Sequence, residues 1–247
     1  TSYSCTHLEH SSHYLMRHAF FLLLGLLGAL ALVHAQKGHD FFARPAMPGQ
    51  PPYPIWPKQF SADYDVLVPA YGPNFKYKGV IHYDYSIHSA RAFYYDWCIP
   101  LFDNSVSSIV GTKGQQGMYN HTCSFLMTAK GTYFISPNFP YAPNRCCYFG
   151  PIPPPTPDWL KNTQWNGTAT LRGSKCNVWW FPGTDNPDDP YYGYWSKIDE
   201  DNTPVRFLGL SSIGVTILDY TTFRKGPVSH KMFEVPPGCS AECVPPP

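Results

Sequence analysis

The sequence predicts an all-β protein, two curved antiparallel sheets forming a half-barrel-like sandwich with little helix, and three observations carry that expectation. Two central segments, Lys175–Phe181 and Ile213–Tyr220, alternate at the two-residue period of a strand and show no helical period. Short strand-like stretches follow one another across hairpin turns, the pattern of an antiparallel meander rather than of a parallel sheet. Aromatic residues make up 17% of the chain against 14% charged, with 27 prolines, which suits strands joined by punctuated loops.

In chain order, the one long apolar run is Ala19 to Val33, preceded by Met16-Arg17-His18 and followed by His34-Ala35. A run of about 15 residues falls short of the ~20 a membrane span needs, so it reads as a secretory signal cut after Ala35. Met16 is the expected start, residues 1–15 upstream sequence, residues 36–54 a flexible Pro-rich leader, and 55–247 a single β domain. The expected location is therefore extracellular, with no membrane segment after cleavage.

Within the domain, Tyr64–Val68 is the first candidate strand. Lys78–Tyr85 and Ala90–Trp97 form a hairpin across Ser86–Ser89, and Thr122–Met127 and Thr132–Ile135 form a second across Ala129-Lys130-Gly131, where glycine can take positive φ. A third runs from Tyr191–Trp195 through Asp199–Asn202 into Val205–Leu208. The one expected helix is short, Pro157–Lys161 with Thr156 as its N-cap.

The chemistry these residues offer is restricted. A formal net charge of +1 without a basic run gives no footprint for nucleic acid. The glycine, serine and histidine motifs of nucleotide binding, acyl transfer and zinc hydrolysis are all missing. A pair such as Asp84 and Asp96, on neighbouring strands, offers two carboxylates for glycoside cleavage, though a solvated strand face accounts for them more readily. His82, His88, His121 and His230 lack metal-ligand spacing, so no metal site is assigned; the acidic stretches Asp185–Asp189 and Asp199–Asp201 offer oxygens for calcium without an ordered ligand pattern. Of eight cysteines, Cys5 precedes the expected cut, leaving Cys98, Cys123, Cys146, Cys147, Cys176, Cys239 and Cys243. An odd number in an oxidising compartment predicts three disulfides and one cysteine free or paired between chains. Asn120-His-Thr122 and Asn166-Gly-Thr168 are glycan acceptor sequons.

Trp56-Pro57, Tyr83-Asp84, Pro157-Asp-Trp-Leu160, Cys176-Asn-Val-Trp179, Pro204-Val-Arg206 and Val235-Pro-Pro-Gly-Cys239 occur in an order that resembles the ependymin-related proteins, and more closely a family of uncharacterised secreted proteins best known from plants. The resemblance spans Trp56 to Cys243. It implies two curved sheets akin to bacterial lipoprotein carriers around a deep hydrophobic pocket. It also implies Cys123 paired with Cys243 and Cys146 or Cys147 with Cys239, leaves Cys98 and Cys176 open, and associates calcium with the fold at no residue that can be matched here.

Trp179 and Trp180 point to opposite faces of one strand, and a sheet in a single domain usually packs only one face on a core. The ring left over wants cover or a ligand. Trp179, Trp180, Phe125, Val215 and Ile217 are accordingly the expected wall of a site for a small hydrophobic or lipid-like ligand, in a protein that performs no chemistry and for which a homodimer is one open arrangement. The other readings are an extracellular carbohydrate-active enzyme or carbohydrate-binding protein, motivated by the aromatic excess and the strand carboxylates, and a cell-wall or matrix structural protein that uses its tyrosines and prolines for contacts.

Overall fold

The computed structural model describes residues 49–69, 72–96, 98, 122–136, 146–181, 192–211, 214–239 and 241–243. The expected signal and most of the expected leader, with Trp97, Asn120, His121, Asp185–Asp189, Tyr191 and Ile213, lie outside them. Twelve strands are described: β1 (Gln59–Leu67), β2 (Lys76–Asp84), β3 (Ser89–Tyr95), β4 (Cys123–Thr128), β5 (Gly131–Ile135) and β6 (Cys146–Gly150), then β7 (Gln164–Leu171), β8 (Ser174–Trp180), β9 (Gly193–Lys197), β10 (Pro204–Ser211), β11 (Gly214–Tyr220) and the two-residue β12 (Arg224–Lys225). Every strand pair is antiparallel. Among the described residues there is no α-helix, only short 3-10 turns such as Tyr85–Ile87 and His230–Phe233, and no helix long and apolar enough to cross a membrane.

The strands form one curled, unclosed sheet in the order β6-β5-β4-β3-β2-β1-β11-β10-β9-β8-β7. Two meanders of consecutive strands meet where β1 pairs with β11, from Tyr64↔Tyr220 to Leu67↔Ile217, so the two curved layers expected from the sequence are wings of a single ladder. Alternation decides which side is core. In β1, Phe60, Ala62, Tyr64 and Val66 are buried on the inner face while Ser61 and Asp63 point outward, half-buried. The three expected hairpins are present, with Gly131 at φ +127° in the second and Asp201 and Asn202 both left-handed in the third.

Three expectations are corrected. Pro157–Lys161 is a succession of turns rather than a helix: Trp159 N–H bonds the Thr156 carbonyl, Lys161 the Asp158 carbonyl and Thr163 the Leu160 carbonyl, each three residues back. Five residues are too few to nucleate a helix, and the turns instead bury Trp159 and Leu160. The disulfides are Cys98–Cys123, Cys146–Cys239 and Cys147–Cys243, so Cys123 does not pair with Cys243. The register explains why: Tyr94 of β3 lies opposite Cys123, which brings Cys98, just past the end of β3, to a Cα separation of 5.3 Å. Adjacent Cys146 and Cys147 point to opposite faces of β6, and the C-terminal chain passes around that edge, binding Cys146 through Cys239 on the outer side and Cys147 through Cys243 on the inner. Cys176 is free and fully buried, which removes it as a link between chains. Finally, in β11 the alternation holds but the faces are reversed: Thr216 and Leu218 are inside, while Val215 and Ile217 are half-buried on the outer face. Leu218 is drawn inward by its partners Val66 and Phe207, both core residues.

Candidate functional site

The inner face is organised by one cross-strand row. Register pairs connect Trp165 to Trp179, Tyr194, Phe207, Leu218, Val66 and Tyr77 across six strand boundaries. Trp179, near one end of that row, is fully buried. A segment from Ile152 to Thr163 lies over the middle of this face. Tyr83 Oη donates to the Pro155 carbonyl at 2.8 Å, Thr132 Oγ1 to the Ile152 carbonyl at 2.7 Å, and the Trp56 N–H to the Pro157 carbonyl at 2.8 Å. Trp159, carried by that segment, stacks on Phe181 at 5.5 Å and meets Trp56 and Tyr194 edge-on at 5.1 and 5.6 Å, while Trp56 Nε1 donates to Tyr194 Oη at 3.0 Å.

Beyond this segment the inner face ends in half-buried rings. Phe75 and Tyr77 lie edge to face at 5.0 Å; Tyr192 stacks on Phe207 at 6.2 Å and meets Phe181 edge-on. Burial pushes the Tyr192 hydroxyl up to about 12 and those of Tyr64, Tyr194 and Tyr220 well above their ordinary range, so all four stay neutral at physiological pH. The end at which these rings sit is where β1, β3, β5, β8 and β10 finish, and the longer connections leave from it; the opposite end is closed by tight turns at Tyr85–Ile87, Ala129-Lys130 and Arg172-Gly173.

Among the described residues, buried carboxylates are kept off this surface. The buried carboxylates Asp65, Asp84 and Asp219 all sit at outward positions. Asp65 pairs with Lys76 at 2.9 Å, and Asp219 takes a two-pronged bond from Arg206 at 2.6 and 2.8 Å. Asp84 caps the first hairpin, accepting from the Ser86 N–H at 3.0 Å, the Ser86 hydroxyl and Gln59 Nε2 at 2.9 Å. Burial works to raise its pKa, but the bonds from Ser86 and Gln59 outweigh it and hold the carboxyl below its ordinary value. In the β2–β3 register Asp84 lies at one end, opposite Ser89, and Asp96 follows Tyr95 at the other. The two are about seven rungs, roughly 20 Å, apart, so they do not flank one bond. His88 lies in the tight turn after the Tyr85–Ile87 turn, and His230 contacts Asp84 at 3.6 Å. Among the described residues no three metal-binding side chains gather, and Asp201 and Glu200 are engaged by Lys225 and Lys197.

The expected ligand wall is thus divided. Trp179 and Phe125 are on the inner face within the core; Trp180, Val215 and Ile217 are on the outer face, where Trp180 meets Trp195 edge-on at 5.6 Å. Sequence reasoning missed Phe75, Tyr77, Phe181 and Tyr192. The available signal was parity, since Phe181 shares the face of Trp179 and Tyr77 that of Tyr83.

No family model and no curated protein sequence matches the chain. Among solved structures it is similar to an uncharacterized conserved protein of Thermus thermophilus, at 12% identity over 74% of this chain and 89% of that one, with a TM-score of 0.43. It is also similar to the Mycobacterium tuberculosis lipoprotein LppX, at 11% over 68% and 88% with a TM-score of 0.34, and to a LolA superfamily protein of Nitrosomonas europaea, at 10% over 74% and 92% with a TM-score of 0.29.

Proposed function

We propose that this is a secreted, glycosylated binding protein that holds an apolar or amphipathic, lipid-like ligand against the inner face of its curled sheet. The observation that carries the reading is the aromatic inner face that includes fully buried Trp179 and ends in half-buried Phe75, Tyr77, Phe181 and Tyr192, with the buried carboxylates all turned to the other face. Covering one such ring contributes ~1.5 to 3 kcal/mol, so a ligand spanning several has ample driving force without a charged anchor. The three disulfides support an oxidising compartment. The ligand enters from the end where the half-buried rings stand, beside the segment that carries Trp159. The test is displacement of a fluorescent fatty acid, with native mass spectrometry of the secreted protein to detect what it carries. Tyr192→Ala and Phe181→Ala are expected to weaken the probe at least fivefold and Trp180→Ala to leave it unchanged. Rim variants that bind as the wild type does would refute the site.

A second reading has one observation in its favour. Trp180 and Trp195, half-buried on the outer face, form a ring pair of the kind that stacks on sugars. Loss of oligosaccharide binding in Trp180→Ala, with no apolar probe bound by the wild type, would move the function to that face.

A further inference from the structure

The two edges of the unclosed sheet are treated differently. At β6 the chain covers its own edge: the Tyr148 N–H donates to the Ala241 carbonyl at 2.7 Å, the Cys243 N–H donates to the Tyr148 carbonyl at 2.9 Å, and Cys146–Cys239 and Cys147–Cys243 fix this tail in place. At the other end of the strand order, β7 has β8 as its one strand neighbour among the described residues. Edge strands present unpaired N–H and C=O groups to any passing strand, and proteins blunt them with charge, proline, bulges or a cover. The β7 sequence, Gln-Trp-Asn-Gly-Thr-Ala-Thr-Leu, has neither a charged residue nor a proline, and its threonines and tryptophan favour strand pairing. Its one device is a bulge. The register steps from Trp165↔Trp179 to Thr168↔Asn177, leaving Asn166 and Gly167 against Val178 alone. Gly167 sits at φ +83°, with nothing within 4 Å of where a Cβ would stand. Asn166, the acceptor of the Asn166-Gly167-Thr168 sequon, is exposed at this bulge, so the one interruption of the bare edge is also a reachable amide.

We propose that Asn166 carries an N-linked glycan that guards the β7 edge against strand addition by a second copy of this chain. The inference rests on the secretory part of the function proposed above. The donor is a lipid-pyrophosphate-linked oligosaccharide: the Asn166 amide nitrogen bonds to C1 of the first sugar, the bond from C1 to the pyrophosphate oxygen breaks, the lipid pyrophosphate leaves, and the amide gives up one proton. A hydrated glycan anchored in the bulge occupies the volume that an incoming strand needs, while the inner face remains open.

The test is expression of the full chain in a secreting eukaryotic host, followed by glycopeptide mapping and by mass measurement in solution. A chain that never reaches the medium counts against the secretory reading; a secreted, disulfide-bonded chain with unmodified Asn166 overturns the present proposal. Thr168→Ser, which keeps the sequon, is expected to stay monomeric. Thr168→Ala, which leaves the Asn120 sequon untouched, is expected to double in mass at the same concentration. Should that variant fail to be secreted, trimming the glycans of folded wild-type protein to their first sugar is expected to produce the same association. Adding Thr170→Lys, a charge on the exposed edge, is expected to restore the monomer. Continued monomeric behaviour without the glycan, or association that Thr170→Lys leaves unchanged, would overturn it.

Discussion

The wing from β2 to β6 and the wing from β7 to β10 share one ladder and one alternation, yet they are secured by different means. In the first, the chain packs the inner face and covers part of the outer one. The inner face packs into the main core, and on the outer face the C-terminal segment covers β4 and β5, with Val228, Met232 and Phe233 lying on Leu126, Ile135 and Tyr133. Arg91 pins that segment, donating to the Met232 carbonyl at 3.1 Å and to Ser124 Oγ at 3.1 Å while lying over the Phe93 ring. All three disulfides belong to this wing. The second wing has no disulfide among its described residues; it keeps a buried free thiol at Cys176, is held by indole and phenol rings, and leaves Trp180 and Trp195 half-buried outside. A covalently closed wing and an aromatically packed one answer differently to redox state and to truncation. On the function proposed above, the wing without disulfides is the one expected to adjust to a ligand.

Reduction should produce the largest effect. Cys146–Cys239 and Cys147–Cys243 close loops of 93 and 96 residues, and such bridges stabilise by ~2 to 4 kcal/mol each. Hydrogen exchange on the reduced protein is expected to show protection falling first in β5 and β6, with β9 and β10 holding longer. Uniform loss across all strands would mean that the wings unfold as one unit and that the contrast is only one of appearance.

Next in size is the pair Trp179 and Trp180, adjacent in sequence and opposite in face. Trp179→Ala empties a site enclosed on every side and should cost ~3 to 5 kcal/mol, whereas Trp180→Ala removes a half-buried ring and should cost ~1 to 2. Urea unfolding measures both. Equal costs would show that the outer ring is as enclosed as the inner and would remove the basis for treating the two faces of this wing differently.

How far these features were legible follows from what alternation encodes. A period of two identifies a strand and sorts its residues into two sets, so β2, β3, β4, β5, β9, β10 and the hairpins between them could be read directly. It does not say which set is inside. In β11 the set Val215 and Ile217 is the more apolar, yet Thr216 and Leu218 face the core, because the partners Val66 and Phe207 across the ladder decide the matter. The same limit divided the expected ligand wall between two faces. Cys146–Cys239 and Cys147–Cys243 were beyond local reading because they depend on where the C-terminal chain runs, and the passage of that chain along β6, with Tyr148 bridged to Glu242, is a tertiary fact. Parity reached only part of the half-buried rim: Phe181 continues the face of Trp179 and Tyr77 that of Tyr83, whereas Phe75 and Tyr192 sit just before their strands begin.

A smaller effect is expected from Asp84. Asp84→Ala strands the Ser86 N–H, the Ser86 hydroxyl and Gln59 Nε2 at the turn that closes the first wing, a cost of ~1 to 3 kcal/mol. Because the folded carboxyl titrates below its ordinary value of 3.8, this contribution is present above that pH and fades only as the solution is acidified through and below it. A stability profile of Asp84→Ala that parallels the wild type down through this range would show that the carboxylate form does no capping.

The smallest effect separates the wings by pH in a milder range. His82 is half-buried on the outer face of β2, edge-on to Phe93 at 5.9 Å, and its Nδ1 has no hydrogen-bond partner among the described residues. Burial holds its pKa below 6.5, Arg91 and Arg224 push the same way, and Asp63 opposes them. The unfolded chain therefore binds a proton near pH 6.5 that the folded chain declines, and stability, complete above that value, should fall as pH drops below it. Asp63 does not interfere, because the bonds from Thr222 and Arg224 hold its carboxyl below the ordinary value and keep it ionised in this range. One proton limits the slope to ~1.4 kcal/mol per pH unit. Urea midpoints from pH 7.5 to pH 5.5 should decline in the wild type and flatten in His82→Gln, with exchange at β2 and β3 rising on acidification while β9 is unmoved. An equal decline in His82→Gln would assign the titration to another group.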